Sequence, residues 1–364
     1  MLEKIVEAND LNQIKTTMVK KCGTAIRTDV YGVRSGENAS TCEGLSGKVA
    51  IDIEYPLLND RLPVGGWWNF KWQESLNGVT ASTRIIEYST DYDSADESAA
   101  TWTRVDAGGN LTDNGNGSFE YIGEGDNGSA VAVAIPTGLK AVRVRINDGS
   151  NDYYTILPLT SAALVQEVAE DFDGVNGTEY ELTTDLTQND TGFAIQYVRG
   201  PLVIDTNKGV ADTNADYGAG FLVRHSGTRF FSTVDVNLEN TALSEGTTAT
   251  KRITGLFLNG KLDSTWFKNN SRAGLKRNAA TRLFAYERFD GDITNINVTA
   301  TVDLTTTYVV KMFTNESGTF AAVFTSGNAF IAGIADWGNN NRHSGMGPIA
   351  NNDGSVNDYT GYKF

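Results

Sequence analysis

Cysteine is nearly absent from this sequence: Cys22 and Cys42 are the two in 364 residues. A disulfide framework is excluded as the source of stability, and the pair fits either one bridge or two free thiols. Histidine is as scarce, with His225 and His343 far apart, so a zinc site of His/Cys spacing has no support. No uninterrupted apolar run of about 18 residues occurs, so no membrane span is expected. Met1 to Lys21 lacks both an apolar core and a small-residue cleavage site, and does not read as a secretory signal. Positive charge is the minority, 30 Lys and Arg against 45 Asp and Glu, for a formal charge of −15. That balance argues against a basic nucleic-acid surface. An acidic surface keeps a protein soluble without naming a partner.

What is present favours strands. Proline numbers 6 against 38 glycines, and Asn, Asp, Thr and Ser supply turns throughout. Hydrophobic residues at 40% and aromatics at 10% are enough for a packed core rather than a disordered chain. The reading is all-β: two tandem antiparallel β-sandwiches, the second a jelly roll, preceded by a short N-terminal helix. The expected division is an N-terminal helix and extended arm over 1–47, a first sandwich over 48–159 and a second over 168–364.

Asn9 or Asp10 caps the expected helix. Leu11, Ile14 and Met18 fall at spacings of three and four on one face, Lys15, Lys20 and Lys21 lie toward its end, and Gly23 closes it. The apolar stripe packs either on the first sandwich or on an assembly partner. Its place ahead of all globular structure favours assembly. Thr24 to Gly47, rich in Gly, Ser and Asn, reads as a linker or arm.

In the first sandwich Val49, Ile51 and Ile53 alternate with Ala50, Asp52 and Glu54. Trp68, Phe70 and Trp72 share one strand face, opposite Trp67, Asn69 and Lys71. They line either a sugar platform or the core, and the core is preferred. Strands are expected at 83–90, 101–105, 130–135, 141–146 and 153–157, with a Gly/Asn/Asp turn region over 108–117. Residues 160–169 form either a short helix or the approach to the next strand.

The second unit opens on Asp171–Phe172–Asp173–Gly174–Val175–Asn176–Gly177–Thr178, continues through Gly218–Ala219–Gly220–Phe221–Leu222–Val223–Arg224, and later through Thr307–Tyr308–Val309–Val310–Lys311–Met312–Phe313. Asn259–Gly260, Asp290–Gly291 and Ser317–Gly318 mark turns between apolar runs. These stretches resemble the concanavalin-like, laminin-G-type jelly roll over about residues 168–364, a likeness that speaks to fold more than to function. Ile5–Val6–Glu7–Ala8–Asn9–Asp10–Leu11–Asn12–Gln13–Ile14 resembles the short N-terminal segment of phage virion proteins, with one residue more in the spacing. The resemblance implies a fibre, tail or head-decoration subunit of a virion, assembled in the host cytoplasm. Its partners would be other virion proteins, further copies of itself and a host surface glycan.

Jelly-roll glucanases carry their carboxylates at alternate positions of one strand, so that all share a face. Asp52 and Glu54 come nearest, but Ala50 stands where the first acid belongs; Glu287–Arg288–Phe289–Asp290 lacks a third partner. No enzyme is expected, and no cofactor. Asp171, Asp173 and Asn176 could offer oxygens to calcium within one turn, but Val175 breaks the EF-hand spacing, and Asx turn bonding is the preferred use. For glycan contact the candidates are Trp337, Asn339 and Arg342 in a polar run, with Trp266 and Tyr286 near expected loops. Trp337 either faces a sugar or plugs the end of the sandwich. The alternative reading is a cell-surface carbohydrate-binding module, and a less favoured one is a glycan-cleaving enzyme.

Overall fold

The computed structural model describes residues 18–22, 25–30, 50–55, 61–76, 78–106, 111–125, 133–181, 195–200, 202–211, 219–224, 229–238, 253–259, 270–278, 281–290, 292–298, 302, 306–338, 345–350 and 354–364. The chain divides into two compact units, Met1–Ala162 and Ala163–Phe364. The described residues are strands apart from turns and one 3₁₀ turn at Glu97–Ala99. No helix among them is long and apolar enough to cross a membrane.

The first unit holds β1 (Met18–Cys22), β2 (Ala25–Val30), β3 (Ala50–Tyr55), β4 (Arg61–Pro63), β5 (Trp68–Ser75), β6 (Thr83–Ser89), β7 (Thr103–Asp106), β8 (Leu111–Gly115), β9 (Ser118–Gly123), β10 (Ala141–Asn147), β11 (Asp152–Pro158) and β12 (Thr160–Ala162). One sheet runs β1-β2-β11-β10-β6-β7 and a second β3-β5-β9-β8, while β12 and β4 pair separately. Their core forms where alternate residues of both sheets meet. Trp68, Phe70 and Trp72 are fully buried there with Ile86, Val142, Val144 and Ile146. Trp68 stacks on Phe70 at 5.7 Å and on Tyr88 at 5.6 Å. The aromatic triplet is therefore core and not a sugar platform, each ring contributing on the order of 2 kcal/mol by burial.

Three expectations for this unit are corrected. Met18–Cys22 is a strand, with Met18 opposite Val30 and Cys22 opposite Ala25. The helix expected to end at Gly23 therefore does not run through Met18. Leu11 and Ile14 lie outside the described residues. Val19, Ile26, Thr28 and Val30 supply β-branched residues on both sides of this pairing. The expected arm is also partly sheet, because Ala25, Ile26 and Arg27 pair in parallel with Asp152, Tyr153 and Tyr154. The presumed turn region contains β8, which forms a hairpin with β9 around Asn116 and Gly117, both at positive φ.

The second unit holds β13 (Val165–Glu170), β14 (Ile195–Arg199), β15 (Leu202–Ile204), β16 (Gly209–Ala211), β17 (Ala219–Arg224), β18 (Phe230–Asn237), β19 (Thr254–Asn259), β20 (Asn270–Asn278), β21 (Thr281–Asp290), β22 (Asp292–Val298), β23 (Tyr308–Asn315), β24 (Gly318–Thr325), β25 (Phe330–Trp337), β26 (Gly345–Ala350) and β27 (Ser355–Lys363). An eight-stranded sheet runs β15-β16-β27-β18-β23-β24-β25, with β13 also on β27. A seven-stranded sheet runs β14-β17-β26-β19-β20-β21-β22. One apolar core takes residues from both, among them Phe230, Val234, Val310, Met312 and Tyr359 from the first and Phe221, Leu256, Leu275, Phe284 and Tyr286 from the second. Residues 160–169 contain no helix: β12 and β13 occupy most of them.

Candidate functional site

Alternation along the eight-stranded sheet puts Phe230, Val234, Val310 and Met312 in the core, so their neighbours face away from it. On that far face the register aligns Tyr362, Phe231, Phe313 and Phe320 across four adjacent strands. Phe313 stacks on Phe320 at 4.7 Å, and Phe231 meets Tyr362 edge-on at 5.8 Å. The row ends at Trp337, whose ring stands edge-on to Phe320 at 4.9 Å and 75°. Phe231, Phe313 and Phe320 are buried, whereas Trp337 is half-buried and presents part of its ring.

The backbone around Trp337 is set by a tight hairpin. Gly318 lies directly opposite Trp337, and a side chain there would run into the Asp336 carbonyl oxygen. Gly338 follows at φ +76° and donates its N–H to Ser317 O at 2.8 Å. Beside that turn Glu316 accepts from Arg229 Nε at 2.7 Å, with the two side chains 46% and 23% exposed. Trp337 and the Arg229–Glu316 pair thus stand at one end of the eight-stranded sheet: a partly exposed ring with donors and acceptors close by. Sugars are bound through that combination, since their C–H faces lie on aromatic rings while hydroxyls take polar partners.

The remaining expected site residues are placed differently. Tyr286 is 1% exposed on β21 and does not face a loop. Its phenol donates to Asp336 Oδ2 at 2.8 Å and lies 3.0 Å from Ser271 Oγ. Arg288 Nη1 donates to Asp336 Oδ1 at 2.8 Å, so Asp336 ties β25 to the opposite sheet. Alternation sends Asp336 and Trp337 to opposite faces of β25, which separates Tyr286 from the Trp337 ring. Trp266, Asn339 and Arg342 lie outside the described residues.

Asp171, Asp173 and Asn176 sit in the turns after β13. The Asp173 N–H donates to Asp171 Oδ1 at 3.3 Å, a use of the Asx kind, while the Thr206 N–H donates to Asn176 Oδ1 at 2.9 Å, a tie between two turns. Phe172 between them is buried at φ +57°, held by its N–H on Glu170 Oε1 at 2.8 Å. No group of three or more His, Cys, Asp or Glu side chains among the described residues is placed to hold a metal ion. Glu287 is also engaged structurally, 2.6 Å from Arg272 Nη2 and 3.5 Å from Lys276 Nζ, all at 1–3% side-chain exposure.

One carboxylate pair was missed in the sequence. Asp235 and Asp358 lie directly opposite each other on β18 and β27, on the same face as the aromatic row. Burial, then the neighbouring Asp358 charge, pushes the Asp235 carboxyl up to about 6. Arg229, Glu316 and Phe320 were missed as well. Asn315–Glu316–Ser317–Gly318 is legible as a turn, but nothing in the sequence says that Arg229 returns to it.

No protein-family model matches the sequence. No curated protein sequence matches it either. Among solved structures it is similar to the CBM2 module of the evolved Dit protein of a Lactobacillus casei phage, with TM-score 0.34 and 11% identity over 55% of this chain and 95% of that one. It is also similar to the carbohydrate-binding module CBM66 of Bacillus subtilis, with TM-score 0.30 and 14% identity over 54% and 93%. A third is the full-length tailspike protein 2 of an Escherichia coli O157:H7 bacteriophage, with TM-score 0.32 and 12% identity over 54% of this chain and 27% of that one. None of these likenesses assigns a function to this chain.

Proposed function

We propose that this chain is a non-enzymatic structural protein of a phage particle, a fibre, tail or head-decoration subunit. It docks through its N-terminal segment and displays a second, jelly-roll unit to glycans of the host surface. The virion assignment rests on the resemblance of residues 5–14. The glycan assignment rests on one observation, the half-buried Trp337 ring at the end of the aromatic row beside the Arg229–Glu316 pair. The same observation supports a cell-surface carbohydrate-binding module as the second reading.

Two measurements test these readings, the first separating them and the second probing the surface both share. Because residues 18–30 belong to the first sheet, the informative truncation removes only residues 1–17. Light scattering is expected to give a trimer or larger for the full chain and a monomer for the truncation. Monomers in both cases, with no retention on purified phage particles, refute the virion reading. On a glycan array, Trp337→Ala is expected to weaken binding about tenfold, the cost of a lost stacking ring. Unchanged glycan binding by a folded Trp337→Ala protein refutes the assignment of this surface.

A further inference from the structure

The first unit carries a separate surface with a different chemical character. Alternation on β10 turns Val142, Val144 and Ile146 into the core and Arg143 and Arg145 outward. On the same outer face Glu87 of β6 stands between Arg143 of β10 and Arg104 of β7, each directly opposite it in register. One carboxylate, 8% exposed, is thus flanked by three arginines. Glu87 Oε2 accepts from Arg143 Nε at 2.6 Å and from Arg145 Nε at 3.1 Å. Arg145 also gives Nη2 to Glu87 Oε1 at 3.2 Å and Nη1 to Asp152 at 3.1 Å.

Arg145 is thereby satisfied, but the other two are not. The Arg143 guanidinium lies 4.2 Å from the Trp102 ring centre and 5.5 Å from that of Tyr154. Near both rings and fixed through Nε, it has two terminal amino groups left without an acceptor among the described residues. The Arg104 side chain has no hydrogen bond or ion pair among the described residues, and its Nε is buried. Trp102 is half-buried, set by Tyr92 at 5.9 Å and 55°, and its indole N–H likewise has no acceptor among the described residues. The nearby acids are engaged: Asp91 accepts from Ser89 Oγ at 2.7 Å and from the Thr101 N–H at 2.8 Å, and Glu97 accepts from the Tyr92 hydroxyl at 3.3 Å.

The unengaged groups of Arg143, Arg104 and Trp102 are all donors, around an aromatic ring, in a chain that is otherwise strongly acidic. A neutral sugar needs acceptors as well as donors for its hydroxyls, whereas a carboxylate takes donors alone, and takes guanidinium donors best. We propose that the outer face of β11-β10-β6-β7 around Trp102, Arg104 and Arg143 binds a carboxylate-bearing saccharide, its acid on the arginines and its ring against Trp102.

The test is calorimetric titration of the full chain with a glucuronate tetrasaccharide and with N-acetylneuraminyl-lactose, against maltotetraose and lactose as neutral counterparts. At least one acidic probe is expected to bind, weakening as salt is raised. Trp102→Ala should reduce affinity about tenfold or more and Arg104→Gln about threefold to tenfold, the range of one stacking or charge-assisted contact. Arg104 has no ion pair among the described residues, so Arg104→Gln decides the matter if Trp102→Ala does not fold. Silence from both acidic probes at about ten millimolar overturns the proposal, as does equal binding of the neutral sugars that is lost in Trp102→Ala. So does full affinity in folded Arg104→Gln, or loss of acidic binding in Trp337→Ala instead of Trp102→Ala.

Discussion

Glu287 shows at the scale of one residue how this fold treats charge. Its carboxylate sits beside Arg272 and Lys276 on the core-averted face of β20 and β21, at 1% side-chain exposure. Removing one partner of such a group leaves cations without their counter-charge away from water. Glu287→Gln is expected to lower stability by roughly 3 kcal/mol in a denaturant titration. Asp235 behaves in the opposite sense. Its carboxyl titrates at about 6 in the folded protein against an ordinary 3.8. The folded state thus holds the proton more tightly, and stability falls as pH rises from about 4 to about 6 and stays reduced above. Asp235→Asn should therefore raise the melting midpoint at pH 7 by a gain on the order of 1 kcal/mol and leave it unchanged near pH 3, a difference that thermal melts at the two values would reveal. Single residues were unevenly legible. The alternation around Trp68, Phe70 and Trp72 announces a buried face. The Asp235–Asp358 pair is not visible, because more than a hundred residues separate the two and only the sheet register brings them together.

At the scale of elements, regular alternation was readable and glycine was not. The strands at 141–147, 230–237, 308–315 and 318–325 follow from apolar residues at every second position. β20 and β26 do not: Gly274 and the charges Arg272 and Lys276 interrupt the first, and Gly345 and Gly347 the second. Here glycine serves close approach between strands. A side chain on Gly347 would strike the Phe221 carbonyl oxygen and lie 3.1 Å from the Leu222 Cα. Gly347→Ala is expected to cost about 3 kcal/mol and to shift the urea midpoint without changing its slope. The Met18–Cys22 segment failed for another reason. Its spacing satisfies a helix locally, while Ala25–Val30 offers it a strand partner, and the pairing prevails.

At the scale of the whole molecule, two cores of different composition lie in two units. Each has the aromatic and aliphatic residues to fold alone. Residues 163–364 expressed separately should melt in a single cooperative transition; a noncooperative melt would show that the division is not a folding boundary. The candidate surface at Trp337 was half legible, as an aromatic in a polar run, but its supporting row of Tyr362, Phe231, Phe313 and Phe320 comes from strands spread over the second unit. The placement of β27 has a further consequence. Ser355–Lys363 pairs with β13 and β16 on one side and β18 on the other, in the middle of its sheet. During synthesis β13 and β18 leave the ribosome long before the strand that joins them. Until residues 355–363 emerge, both keep an unpaired edge, and a chain stopped short of them is left without the middle of its sheet. The cell therefore meets this protein either whole or as a target for chaperones and proteases, with little in between.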